Sequence, residues 1–120
     1  MDSRDKFFLN ETVKFVVKAL HLQSLPRRIV IVNDVSFAEK NLSFGVYNTQ
    51  TDEIHIYGGT RHVADVCRTL CHELVHHKQR EQGKHADGSD GSPIENEANA
   101  LAGTLMRKFR YLHPEIYLEK

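Results

Sequence analysis

Val63-Ala64-Asp65-Val66-Cys67-Arg68-Thr69-Leu70-Cys71-His72-Glu73-Leu74-Val75-His76 has the period of a helix. Val63, Val66, Cys67, Leu70, Cys71 and Leu74 recur at intervals of three and four, forming one apolar stripe. His72, Glu73 and His76 lie off that stripe, on the flank of a helix whose other side is anchored in a core. The spacing predicts this helix over residues 61–82.

Working back from it, residues 42–47 and 53–57 flank Asn48-Thr49-Gln50-Thr51-Asp52, a loop of hairpin length. In the second of these strands Ile54 and Ile56 alternate with Glu53, His55 and Tyr57, as in a half-exposed strand, and Gly58-Gly59 closes it. Earlier still, Ile29-Val30-Ile31-Val32 is a wholly apolar, β-branched run, expected to be a central strand covered on both sides. Before Leu25-Pro26, the apolar positions Phe8, Leu9, Val13, Val16, Val17 and Leu20 predict a scaffold helix over residues 3–21.

Downstream, residues 83–91 hold three glycines, two aspartates and a serine, the composition of a surface loop that could border a cleft. Ser92-Pro93-Ile94-Glu95 then matches a capping box with proline at the first helical position. A third helix follows through Ala98, Leu101, Leu105 and Phe109 until Pro114, and Ala98, Ala100, Ala102 and Gly103 would let another helix approach closely. The expected fold is α+β: a scaffold helix, a twisted sheet of about three strands, the helix with the histidines, and a packed C-terminal helix.

With 120 residues, 40% of them hydrophobic and 27% charged, the protein has the make-up of one globular domain spanning residues 1–120. Sixteen basic residues balance sixteen acidic ones, so no net field draws it to nucleic acid or to an anionic membrane. The first residues lack the basic and apolar regions of a secretory signal, and no apolar run has membrane-spanning length, so a cytoplasmic protein is expected. Cys67 and Cys71, four apart on one helix, read as reduced core residues.

His72-Glu73-Leu74-Val75-His76 is an H-E-x-x-H motif. Histidines at i and i+4 project one turn apart from the same face, so two imidazole nitrogens can reach a single zinc ion. The neighbouring Glu73 carboxylate can take a proton from a zinc-bound water that attacks a peptide carbonyl, then deliver it to the leaving amine. A catalytic zinc needs a third protein ligand. Gln79 and Gln82 exclude the longer pattern with a third histidine six residues on, while His85 and Asp87 lie in a glycine-rich loop that would hold a ligand poorly. Glu95 is accounted for by the capping box, which leaves Glu97, near the face of Ala98 and Leu101, as the expected third ligand.

His72, Glu73 and His76, followed by Asn96-Glu97-Ala98, resemble the gluzincin metallopeptidases, in which a glutamate from a later helix completes the H-E-x-x-H site. The stretch Glu95-Asn96-Glu97-Ala98-Asn99-Ala100-Leu101-Ala102 is also similar to a helix of small bacterial and phage peptidases that cleave repressors and similar regulators. The resemblance covers residues 54–105 and implies a small zincin-like domain. Members of the family often place an aspartate four residues after the third ligand to orient the first histidine. Leu101 stands at that position, leaving Asp65, Asn99 or a backbone carbonyl for the task. The family also supplies a tyrosine or histidine to a developing oxyanion, for which Tyr111, His113 and Tyr47 are the candidates.

The expected function is hydrolysis of peptide bonds, as an endopeptidase, with one zinc ion as cofactor and a peptide or protein as substrate. The substrate would extend the sheet along the strand Glu53, Ile54, His55, Ile56 and Tyr57. Arg61 and Arg68 could neutralise a substrate carboxylate, although solvated surface is the simpler reading of both, as it is of His77. Two rivals remain: a zinc-binding regulatory or interaction protein without turnover, and a nonenzymatic fold carrying the motif by accident.

Overall fold

The computed structural model describes residues 2–84 and 92–118. Helix α1 (Ser3–Leu20) starts at Asp2, whose side chain accepts from the amide of Asp5, and ends at His21 in the left-handed conformation. Strand β1 (Arg28–Val32), helix α2 (Val35–Asn41) and the hairpin β2 (Gly45–Asn48) and β3 (Glu53–Tyr57) follow. The long helices α3 (Val63–Glu81) and α4 (Pro93–Leu112) come next, and a 3-10 turn, Pro114–Tyr117, ends the described residues. Among these residues no helix is long and apolar enough to cross a membrane.

This is an α+β domain with a mixed three-stranded sheet in the order β1-β3-β2. The β2 and β3 strands pair antiparallel, with Val46 opposite His55, as expected of the hairpin. Its turn is fixed by Asn48, whose side-chain oxygen accepts from the amides of Gln50 and Thr51, and by Asp52 at φ 57°. β1 runs parallel to β3, with Val30 opposite His55.

Two expectations about the sheet are corrected by this order. β3 is the central strand, with both of its edges paired, so Glu53, Ile54, His55, Ile56 and Tyr57 offer no free edge to a substrate. β1 is an edge strand, and four of its residues are only half buried. Ile29 to Val32 suggested the interior by composition alone, but helices cover just one side of the strand well: Ile29 and Ile31 pack on the core. α2 had no sequence forecast, because none of its residues is buried and it therefore has no apolar period. Its one local signal is Asp34, whose carboxylate accepts from the amide of Ser36.

α3 is the axis of the domain. Val66, Cys67, Leu70, Cys71 and Leu74 are sealed against Phe8 and Val16 of α1, Ile54 and Ile56 of β3, and Ala98, Ala102, Leu105 and Phe109 of α4. Alanines 98 and 102, one turn apart, let α4 come close to α3, as the small residues predicted. Phe109 meets Phe15 edge to face at 5.8 Å and fixes the far end of α4 against α1. Burial of this aromatic and aliphatic set holds the flank with the histidines in a fixed place relative to α4 and the hairpin.

Candidate metal centre

The Nε2 atoms of His72 and His76 lie 3.1 Å apart, as i and i+4 positions on one helix allow. The first turn of α4 delivers a carboxylate to both: Glu95 Oε1 is 2.9 Å from His72 Nε2, and Glu95 Oε2 is 2.8 Å from His76 Nε2. One ligand atom from each of the three residues lies within 4.8 Å of the others. Tetrahedral zinc with bonds near 2.0–2.1 Å separates its ligand atoms by roughly 3.3 Å. Two neutral imidazoles and a carboxylate are also the donor types that zinc takes, so the residues fit the ion. Burial, with His76 as a neighbour, pushes the His72 pKa down against the pull of Glu95 and Asn99, which favours the neutral, ligating imidazole.

The third glutamate is therefore not the expected one. Glu97 accepts from the Gln79 amide at 2.8 Å and from Lys84 at 3.1 Å, away from the histidines. The cause is helical phase. At about 100° per residue, Glu95 lies about 20° from the inward line of Ala102, and Glu97 about 140° from it. Half of the capping box is present, since Ser92 Oγ accepts from the Glu95 amide at 3.2 Å, but the Glu95 carboxylate turns to the histidines. The other two candidates, His85 and Asp87, lie outside the described residues.

Glu97 has a different part in the arrangement. His76 Nδ1 meets Gln79 Oε1 at 2.7 Å, and the Gln79 amide donates to Ile94 O and to Glu97. Since Gln79 Oε1 can only accept, Nδ1 carries the proton and Nε2 turns a lone pair to the cluster. Gln79 is buried, one turn from His76, and sequence reasoning used it only to exclude a longer motif. The contact at i+3 on a helix flank was the signal available.

Glu73 is 5% exposed. Burial, with the nearby Glu95 charge, pushes its pKa up to about 8. The start of β2 covers it: a Cβ added at Gly45 would come within 2.9 Å of Glu73 Oε2 and 2.6 Å of the Thr69 methyl. Gly45 is thus needed for close approach of the strand to the helix. The centre opens into a cleft of about 250 Å³, lined by β2 residues Val46 and Tyr47 and by Arg80 and Lys84 of the α3 end. β2 is a sheet edge beside the histidines, the position the sequence reading gave to β3.

Of the oxyanion candidates, Tyr111 and His113 are displaced from the centre. They sit at the other end of α4, about 24 Å along the axis from Glu95. Tyr111 is 83% exposed, and His113 packs on Phe8 and Phe109 and meets Glu115. Tyr47 lines the cleft, with its hydroxyl donating to Asp52 at 2.7 Å, and burial and Asp52 push its pKa up to about 12. His77, expected at the surface, is fully buried: Nδ1 is 3.0 Å from Tyr47 Oη and Nε2 donates to Ser24 O at 2.9 Å. Cys67 and Cys71 are buried free thiols whose pKa values burial pushes up, as core residues should have.

No protein-family model matches this sequence, and no curated protein or solved structure matches it either.

Proposed function

We propose that the protein is a zinc-dependent peptidase of zincin-like build, with His72, His76 and Glu95 as the protein ligands of one zinc ion and Glu73 as the base. The convergence of three zinc-type donors from two helices beside a buried glutamate, at the foot of an open cleft, carries this reading. Bound zinc would acidify water and polarise a carbonyl oxygen. Glu73, buried next to His72 on the same helix, is placed to take a proton and return it to a leaving amine. Gln79 fixes the tautomer of His76, and the free edge of β2 offers backbone groups to an extended peptide.

With Glu95 in place of Glu97 the match at Asn96-Glu97-Ala98 is lost, and the resemblance to the gluzincins rests on His72, Glu73 and His76 with a glutamate from a later helix. Four residues after Glu95 stands Asn99, which lines the same cleft as His72 and acts to raise its pKa, in the place where the family often has an aspartate. The burial of Glu73 under Gly45 also suits the second reading, a zinc-binding regulator without turnover, because a covered base needs β2 to yield before a substrate reaches it. Glu73→Gln separates the two. Peptidase action predicts that wild type loaded with zinc cleaves an unfolded protein or peptide mixture and that the variant keeps its zinc while losing about 10²-fold or more in rate. Equal inactivity of two zinc-bearing proteins favours the regulator.

A further inference from the structure

We infer that the cleft on the other flank of the centre is a subsite for a substrate carboxylate, read by Arg68. The inference rests on the peptidase reading and gives it a class of substrate. Arg68 stands one turn before His72, so it leaves α3 on the same flank as both histidines. It lines a cleft of about 360 Å³ that shares His72, Glu73 and Glu95 with the first and is bounded further out by Phe44, Arg61 and Asn99.

The side chain of Arg68 is laid against α4. A Cβ added at Gly103 would lie 3.6 and 3.8 Å from its two terminal nitrogens, so the guanidinium rests over the bare backbone at Gly103. Arg27, Arg28 and Arg80 each pair with a carboxylate, whereas among the described residues Arg68 pairs with none. Arg61, beside it, gives its hydrogen bonds to neutral acceptors, the carbonyls of Tyr57 and Asp65 and the Thr69 hydroxyl, and lies 4.2 Å over the Phe44 ring. The Asp65 carboxylate acts on Arg61 only through space.

The cleft therefore has Arg68 and Arg61 as a cationic outer end and runs inward to the metal centre at His72 and Glu95. A carboxylate on the ligand is drawn to that outer end, which orients the ligand along the cleft. The four residues from Arg68 to His72 rise about 6 Å along the helix, and an extended peptide advances about 3.3 Å per residue, so a carboxylate on Arg68 lies about two residues from a bond held over the histidines. The planar guanidinium can take that carboxylate with two parallel hydrogen bonds. An acidic side chain and a free peptide C-terminus both present this group.

Binding to the zinc-loaded protein tests the inference with three short peptide hydroxamates, read by titration calorimetry. One carries a glutamate and an amidated C-terminus, one a glutamine and an amidated C-terminus, and one a glutamine and a free C-terminus. The expected result is a preference of roughly tenfold or more for one carboxylate probe over the neutral one, the favoured probe identifying the source. Arg68→Gln should bring that ratio close to one, and Arg68→Lys should restore part of it. Equal affinities for all three probes, or a preference that persists in Arg68→Gln, would overturn the subsite and leave the metal centre standing. Binding of none of them would overturn the peptidase reading and the subsite with it.

Discussion

His76 and His77 are neighbours on α3 and have opposite surroundings. His77 is fully buried, and each ring nitrogen has neutral and acidic partners that complete it: Tyr47 and Asp52 at Nδ1, Ser24 and Glu81 at Nε2. Arg80 lies 3.4 Å from Asp52 and balances its charge. His76, with its Nδ1 held by Gln79, turns Nε2 to another imidazole and a carboxylate beside an open cleft. A closed network of this kind ties the end of α1, the hairpin and α3 together. A cluster of lone pairs at a cleft can be completed by a shared cation, the role proposed for zinc here. The pair teaches that the identity of the atoms facing a histidine, rather than its burial alone, separates a structural role from a ligand role.

Breaking the pair one side at a time has the largest effects. His76→Ala should weaken zinc binding by roughly 10³-fold or more, measured by competition with a chelator, since it removes one of the three proposed protein ligands. His77→Ala should retain zinc and lose about 2–4 kcal/mol of stability in urea, because a buried ring is replaced by a cavity and Tyr47, Asp52 and the Ser24 carbonyl lose their contacts with it. If His77→Ala lost zinc as completely as His76→Ala, the division of roles would fail.

A finer contrast lies one turn on. Gln79→Ala should lower zinc affinity by about 10- to 100-fold with the ligands intact, as removal of a group that orients a ligating histidine does. Unchanged affinity would show that His76 needs no such support.

The smallest effect concerns Glu73 in protein stripped of metal. Its folded pKa of about 8 lies above the ordinary glutamate value of 4.5, so the folded state holds this proton more tightly than the unfolded state does. That contribution is complete below about pH 4.5 and fades as pH rises through 8. Between pH 7 and 9, above the range in which His72 titrates, the metal-free protein should lose about 1 kcal/mol from this source. Glu73→Gln should show a flatter profile in the same melting experiment, and parallel profiles would contradict the buried-carboxyl account.

The parts of this molecule legible in its sequence are those with a period or a motif. The apolar stripe of α3 gave the axis of the core, Asn48 to Asp52 gave the hairpin turn, and H-E-x-x-H gave His72, Glu73 and His76 as one group. Strand order was hidden because Ile29 to Val32 are as apolar as a central strand and nothing local says which neighbour they meet. Glu95 was misassigned because the capping signature was allowed to use up its side chain, although the amide alone serves the cap. Counting phase from Ala98 and Ala102 would have placed it inward. His77 was misjudged because its partners come from residues 24, 47, 52 and 81, contacts that a helical wheel does not contain.

Zinc stoichiometry of Glu95→Ala and Glu97→Ala, measured beside wild type after loading and dialysis, tests the central claim most directly. The arrangement of His72, His76 and Glu95 predicts one zinc per protein molecule in wild type, retention in Glu97→Ala with at most a modest loss of affinity, and loss in Glu95→Ala. A wild type that takes up no zinc, or a Glu95→Ala protein that keeps it while Glu97→Ala loses it, would contradict the assignment.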